Sequence, residues 1–311
     1  MRRSRTLPLG IDIGAARTRV ALVERDHAGV ANLVAVAARE TAGDAAAAIA
    51  SAREELQTHE RRCVLALGSC DAHLRTSTFP GMRGAERVRA ARYDAAPFLG
   101  FPASDAVVRV VPIEGDRCVV GVARRAELVR RVDAARAAGL RPIAVDDAAL
   151  ALTRVFPQAG AIVDVGERAT QLVLANRPVP VCRAFGGGGA ALTAAVVASL
   201  GVDEVAAEAR KRSIGLAGAG EYARDALVEQ LASALVEHRS RARTELDGIV
   251  MVGNGARLSG LAEALERAVA LTVRLGALEP DVSCSLPPDV VRAAAPDWAL
   301  AYGLARWADA T

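Results

Sequence analysis

The sequence predicts an α/β chain built as two duplicated halves that face each other across a cleft. Two observations carry this reading. The first is a repeated opening. Residues 8–24 read as an apolar strand (Leu9 to Ile13), a turn at Asp12-Ile13-Gly14 and a second strand (Val20 to Val23), and residues 161–175 repeat the pattern around Asp164-Val165-Gly166. The second is the alternation of short apolar runs with alanine-rich helical stretches along most of the 311 residues. A lone Asp-x-Gly is common in turns. Two copies in matching positions, about 150 residues apart, are far more specific, and they put one Asp-x-Gly on each wall of the cleft.

The elements follow in order. After the opening hairpin a third apolar run, Leu33 to Ala37, extends a meander, residues 44–58 read as an alanine-rich helix, and Val64 to Leu67 returns as a strand. Residues 69–110 are less regular and hold Phe79-Pro80-Gly81, a charged helix from Arg83 to Ala95, and Pro97-Phe98-Leu99-Gly100-Phe101-Pro102. Strands are expected at Ala106 to Val111 and Arg117 to Val122, then a helix from Ala126 to Ala138 stopped by Gly139, a strand from Pro142 to Val145 and a helix over 148–155. In the second half the strands are Ala161 to Val165, Thr170 to Ala175 and Val179 to Ala184. Helices near 190–199, 203–212 and 221–243 follow, then a strand at Ile249 to Val252 and helices at Leu258 to Val269 and Trp298 to Ala308.

Composition narrows the function classes. Hydrophobic residues at 52% and charged residues at 24% suit a globular chain, and aromatics at only 3% predict helices packed closely through small side chains. The net charge of +3, with arginines scattered and not interleaved with aromatics, gives no nucleic-acid footprint. Five cysteines without CxxC spacing and four histidines without an HxxxH pair point to neither a disulfide framework nor a zinc site, and fit a reducing cytosol. No apolar run approaches the roughly 20 residues of a membrane helix. The start, Met1-Arg2-Arg3-Ser4-Arg5, has the charge of a signal peptide, but Asp12 breaks the apolar stretch behind it. It reads as a disordered tail, with neither export nor direct membrane insertion.

The motifs suggest a phosphate-binding cleft. A magnesium nucleotide needs its phosphates wrapped by backbone N–H groups and its metal held by carboxylates, usually through water. Asp12 and Asp164, at strand ends, suit the metal-bound water. Gly14, followed by Ala15, Ala16, Arg17 and Thr18, offers close backbone approach and a hydroxyl, and Gly166 matches it. Gly186 to Gly189 precede a helix and read either as an anion site, through Gly187 and Gly188, or as a hinge. Gly253-Asn254-Gly255-Ala256 joins a strand to a helix, as a plain turn or as bare backbone for a base. Glu208 and Lys211 lie one helical turn apart, as a surface ion pair or as part of the site. Lys211 is the sole lysine among 39 basic residues, which singles out a position wanting a compact ammonium.

Taken in order, DxG, DxG, Gly-rich loop, ExxK and GxGARL resemble the actin-like ATPases, a fold shared with sugar kinases and the chaperone ATPase domain. Within that fold the chain resembles the type IV pilus assembly PilM family. The stretch Ala91 to Phe98, ending in Pro97-Phe98, is similar to that family, as are Gly121 to Pro142, Val145-Asp146, Leu150 to Leu152, Gly187 to Thr193, Ala207 to Lys211, Ala256 to Leu258 and Ala301 to Ala305.

The resemblance implies an actin-like fold in four parts: residues 1–68, an inserted FtsA-type α+β subdomain over 69–140, a return over 141–158, and the second half over 159–311. It implies ATP and Mg2+ in the cleft, with Arg19 at the position where many relatives carry lysine, Arg257 in the last motif, and an acidic group at Asp146 or Asp147, with Asp146 the catalytic candidate. Asn254 stands where a second glycine is usual. With these departures the resemblance implies a cytoplasmic scaffold at the inner membrane that is at most a slow ATPase. Its expected partners are the cytosolic N-terminal peptide of a PilN-like bitopic protein and other proteins of the pilus platform. The inserted stretch holds Tyr93, Phe98 and Phe101, three of only eight Phe and Tyr residues, and these are expected either as peptide anchors or, at Phe98 above all, as a miniature core of the insert itself. A small-molecule kinase of the same fold would need a polar sugar pocket, whereas the insert is rich in arginine and alanine. An FtsA-like protein would need an amphipathic helix beyond the closing one, which ends near Thr311, and a GspL-type relative would need a membrane span.

Overall fold

In the computed structural model, residues 5–175, 179–242, 246–277, 283–294 and 296–307 are described. Of the expected disordered tail, Met1 to Arg5, the first four residues lie outside them, and Arg5 is instead in a short strand opposite Arg25.

The first half opens with β1 (Arg5–Thr6), β2 (Leu9–Ile13), β3 (Arg17–Arg25) and β4 (Ala31–Glu40), then α1 (Ala45–Leu56) and β5 (Arg62–Leu67). Asp44 caps α1 by accepting a hydrogen bond from the Ala47 N–H, as short polar side chains do at helix starts. Then come β6 (Ala72–Thr78), α2 (Gly84–Ala95), β7 (Ala106–Glu114) and β8 (Arg117–Arg124), followed by α3 (Arg125–Ala137), β9 (Arg141–Asp147) and α4 (Ala148–Val155). The second half holds β10 (Ala161–Val165), β11 (Ala169–Leu174), β12 (Val181–Gly186), α5 (Gly189–Leu200), α6 (Glu204–Ile214), α7 (Glu221–Ala242), β13 (Ile249–Val252), α8 (Leu261–Val269) and β14 (Val273–Leu275). It closes with β15 (Ser283–Cys284), α9 (Pro288–Ala294) and α10 (Ala299–Ala305).

The duplication is visible in the strand order. One sheet runs β4-β3-β2-β5-β9 and another β12-β11-β10-β13-β14. In each, three strands form an antiparallel meander, the first of the three also pairs in parallel with a fourth strand, and the fourth pairs in parallel with a fifth. The central strands β2 and β10 are buried except at their aspartates, as expected for strands covered on both faces. The short β1 and β15 extend the first sheet at β3 and β4.

Residues 72–124 form a separate three-stranded sheet, β6-β8-β7, with α2 on one face. Phe79, Ala91, Ala95, Val108, Cys118, Val120 and Val122 give it a small core of its own. The next helix, α3, differs. Its Ala135, with Ala138 and Leu140 beyond, is buried with β2, β5 and α1 in the core of the first half. The stretch expected as one insert is thus divided between two cores.

Several short elements were not foreseen. Strand β6 is polar, with half-buried and exposed residues after Ala72, so no apolar run marks it. Strands β1, β14 and β15 are three residues or fewer. Strand β12 begins at Val181 rather than Val179, next to residues outside the described set, and Asn254–Arg257 form a 3₁₀ turn before α8 begins at Leu261. No single helix of the described residues is long and apolar enough to cross a membrane. The bent pair α5 and α6 meets that test by length and composition, but breaks by 107° and buries Leu192, Val196 and Ala207 in the second core.

The halves are joined through α4 and α10. Leu152, Val155 and Phe156 from α4, and Trp298, Ala301 and Tyr302 around α10, are buried in one core with Ala21 and Val23 of the first sheet and Ile162, Val173 and Val250 of the second. The small side chains predicted from composition are what allow this. A Cβ on Gly303 would lie 2.1 Å from the Ala151 carbonyl oxygen, and one on Gly10 would lie 1.9 Å from that of Ala301. Alanine favours a helix interior over glycine by about 1 kcal/mol, so destabilisation by Gly303→Ala would report the clash alone. Thermal denaturation should show a loss of roughly 2–4 kcal/mol, while Gly100→Ala, with open space around it, changes stability little.

Candidate functional site

A cleft of about 620 Å³ lies between the two large sheets. Its floor includes Ala148 and Leu152 of α4 and Leu300 of α10, and each wall carries one copy of the repeated turn. The two turns are built alike. The Gly14 N–H donates to the Arg17 carbonyl and the Gly166 N–H to the Ala169 carbonyl, both at 3.1 Å. Asp12 lies opposite Arg19 in the β2–β3 register, and Asp164 lies opposite Gln171 in β10–β11. Arg19 Nη1 is 3.5 Å from Asp12 Oδ2, whereas Gln171 Nε2 donates to Asp164 Oδ2 at 3.3 Å. The first carboxylate faces a cation and the second a neutral amide.

This asymmetry sets their acidities. Burial pushes both carboxyls above the ordinary range. At Asp12 the charges of Arg19 and Arg131 oppose burial, and a shift upward remains. At Asp164 burial acts together with the negative charge of Asp12 and raises the group to about 6, against the weaker pull of Arg19 and the Gln171 hydrogen bond. Two carboxylates held at one cleft, both costly to ionise there, form an acceptor for a hard cation, which would restore both to the charged form. Among the described residues no three His, Cys, Asp or Glu cluster to hold a metal, so the pair would need water or phosphate oxygens to complete a shell.

Most of the residues expected from sequence line this cleft: Asp12, Gly14, Ala15, Ala16 and Arg19 on one wall, Asp164, Gly166, Glu208 and Lys211 on the other, and Gly253, Asn254, Gly255 and Arg257 at the third turn. Gly253 has φ of +81°, and a Cβ there would sit 2.5 Å from Asp164 Oδ1. A side chain at this position would fill the space beside the carboxylate. Lys211 reaches across from α6 to the start of α5, where its Nζ donates to Gly189 O (2.8 Å) and Thr193 Oγ1 (2.6 Å) and meets Glu208 Oε2 (2.6 Å). Burial works against the charged Glu208 carboxylate, but hydrogen bonds from Lys211, Thr193 and Arg212 outweigh it and hold the group near 2. The lone lysine is therefore a compact, partly buried ammonium joining two helices at the rim.

Other expectations are corrected. The Thr18 hydroxyl, read as a phosphate donor, is buried and shares a 3.1 Å hydrogen bond with Thr41, whose own hydroxyl donates to Gly14 O at 2.8 Å. Thr170 holds the matching place and donates to Gly187 O at 2.8 Å. Gly187 and Gly188 are not among the cleft-lining residues. The N–H groups of Gly189 and Ala190 that would have faced an anion donate instead to the carbonyls of Gly166 and Glu167, both at 2.9 Å. Asp146 also stands outside the cleft. Its carboxylate is taken by Arg154, whose Nε donates to Gly303 O, so it braces α4 against α10. Neighbouring Asp147 caps α4 through the Ala149 N–H at 2.8 Å, and burial raises it to about 7.

Sequence reasoning missed Arg131, Gln171 and Asp297, all lining the cleft. Gln171 also accepts from the Ser69 N–H at 2.8 Å, which ties the second half to the base of the three-stranded sheet, and Asp297 pairs with Arg257 at 3.1 Å. Position seven after each Asp-x-Gly aspartate was available as a signal for Gln171. Arg131, one arginine among several on α3, carried none.

The sequence profile described as type IV pilus assembly protein PilM matches residues 107–307, about two thirds of the chain. The chain belongs to the type IV pilus assembly protein PilM family. Among solved structures, the PilM–PilN type IV pilus biogenesis complex matches with a TM-score of 0.80 and 26% identity, covering 96% of this chain and 97% of that one. The ethanolamine utilization protein EutJ from Carboxydothermus hydrogenoformans matches at TM-score 0.58 and 16% identity over 96% and 89% of the two chains. The MamK double helical filament matches at 0.54 and 13% over 98% and 99%. These more distant likenesses concern the fold, which is that of the actin-like ATPases. No curated protein matches by sequence.

The raised pKa of Asp164 makes the stability of the fold depend on pH. A carboxyl that holds its proton more tightly folded than unfolded costs stability once ionised. That cost is absent below about pH 4 and complete above about pH 7, on either side of its ordinary value and about 6. Asp164→Asn should therefore raise the melting temperature at pH 7.5 by a few degrees, roughly 1–3 kcal/mol, with little effect near pH 4. An equal gain at both pH values would contradict the assignment.

Proposed function

We propose that the chain is an ATP-binding scaffold of the type IV pilus assembly platform. On this reading it works at the cytoplasmic face of the inner membrane and takes the N-terminal peptide of a PilN-like protein. The observation that carries the nucleotide reading is the pair of matching turns, which bring Asp12 and Asp164 to one cleft beside backbone that Gly14, Gly166 and Gly253 keep bare. A bound Mg2+ would supply Lewis-acid charge to phosphate oxygens, with Asp12 and Asp164 holding its water shell. Gly14 to Ala16 and Gly166 would lie along the phosphates, Gly253 to Gly255 and Arg257 along the nucleoside, and Glu208 and Lys211 at its edge. Arg19 would neutralise phosphate charge.

Isothermal calorimetry with Mg-ATP tests this. Asp12→Ala should weaken binding by at least about tenfold, the loss of one charge-assisted contact; unchanged affinity would refute the site. Neither Asp146, paired with Arg154, nor Asp147, which caps α4, lines the cleft, so neither carboxylate is placed to act as a base there. Phosphate release should accordingly run well below the typical enzyme turnover of about 10 per second.

The partner reading rests on the family and on the three-stranded sheet. Its strand β7 has a free edge, and on the face away from α2 it presents Val111, 59% exposed, in register with Val119. Val129 of α3, the helix that directly follows β8, is exposed as well. An extended peptide added to such an edge gains main-chain hydrogen bonds and places alternate side chains on the apolar face. The aromatic anchors expected from sequence are distributed otherwise. Phe101 packs against the insert's own core, while Tyr93 and Phe98 are exposed on the α2 side, Phe98 beneath the Arg75 guanidinium. Val111→Glu should cut capture of a PilN-type N-terminal peptide by tenfold or more with Mg-ATP affinity intact, and Tyr93→Ala should change it little. The reverse order would move the docking face to α2.

A further inference from the structure

Arg131 is a long charged side chain drawn into the cleft from a helix outside its walls. Its Nη1 donates to the Ile13 carbonyl at 3.0 Å, inside the first Asp-x-Gly turn, and its Nε is buried with no hydrogen-bond partner. That Nε stands 3.8 Å from Glu127 Oε2, within ion-pair range but beyond a hydrogen bond, and the same oxygen is engaged by Arg130 at 2.6 Å. A buried guanidinium with an unused donor is costly unless some ligand completes it. The surroundings say what that ligand is. Arg131 stands with Arg19 beside Asp12, and both guanidiniums act on that carboxylate. Once a divalent cation occupies Asp12, two cations with planar donor sets face the metal-bound oxygens, an arrangement that fits a terminal phosphoryl group.

We infer that Arg131 reads the terminal phosphate of the bound nucleotide, so that ATP and ADP are told apart through α3. This deepens the nucleotide reading above and rests on it. The helix makes the signal transmissible. Residues two apart on a helix lie about 200° from each other, so Arg131 faces the cleft while Val129 is exposed on the opposite side of α3. The same helix follows β8 without a break and packs on α1 and β9 in the first half. A pull on Arg131 therefore acts on the joint between the three-stranded sheet and the first half.

The test is calorimetry of the full chain with Mg-ATP and with Mg-ADP, for wild type, Arg131→Gln and Arg136→Gln. Arg136 lies on the same helix, 68% exposed, and serves as the control. Glutamine can keep a donor to the Ile13 carbonyl while removing the charge. Arg131→Gln should weaken ATP by about tenfold or more and ADP by less than about threefold, with Arg136→Gln matching wild type. Hydrogen exchange gives a second readout: ATP should protect α3 and β8 in wild type more than ADP does, and the difference should vanish in Arg131→Gln. If wild type binds ATP but the variant loses ATP and ADP equally, or neither, Arg131 does not read the terminal phosphate. If wild type binds neither nucleotide, the nucleotide reading itself falls.

Discussion

Helix α10 lies so close to β2 and α4 that backbone contact there fixes how the two halves sit together. Two halves that each bury one sheet must still be held at a fixed spacing, and here backbone meets backbone at Gly10 and Gly303, where no side chain fits. Around that contact a single apolar core runs from Ala21 and Val23 through Phe156 and Tyr302 to Ile162 and Val250. The same two helices supply the cleft floor through Ala148, Leu152 and Leu300. The width of the site and the join of the halves are one piece of packing. Arg154 fastens it, spanning Asp146 and the Gly303 carbonyl.

On that frame the duplicated turns have kept their architecture and diverged in charge. Hydrogen bonds at Gly14 and Gly166, buried hydroxyls at Thr18 and Thr170 and cross-strand partners at Arg19 and Gln171 repeat position by position. Only the last pair differs in kind, a cation against an amide. One aspartate is thereby partly compensated within its own half, and the other leans on Gln171, which also holds the Ser69 N–H of the opposite half. The difference gives the cleft a polarity that a perfect duplication would lack.

The parts legible in sequence were those with a local signature. The two Asp-x-Gly turns, the long apolar strands, the alanine-rich helices and the solitary Lys211 are each visible within a few residues, and they account for both walls of the cleft. What could not be read depended on distant partners. The hydroxyl of Thr18 looks available until Thr41, brought in from the next strand, occupies it. The glycines before α5 look like an anion cradle until the Gly166 and Glu167 carbonyls take their helix's first donors. Asp146 and Asp147 are equivalent in sequence, and only Arg154 and the start of α4 distinguish them. Arg131 needed the packing of α3 on the first half before it could be seen to reach the cleft at all.

Asp12 and Asp164 are proposed to hold together the metal of a nucleotide in this cleft. The most direct measurement is a crystal structure with Mn2+ and a non-hydrolysable ATP analogue, using anomalous scattering to place the metal. One strong anomalous peak is expected between the two carboxylates, with the triphosphate running between the Gly14 and Gly166 turns. A nucleotide bound elsewhere, or a metal peak remote from both aspartates, would contradict it.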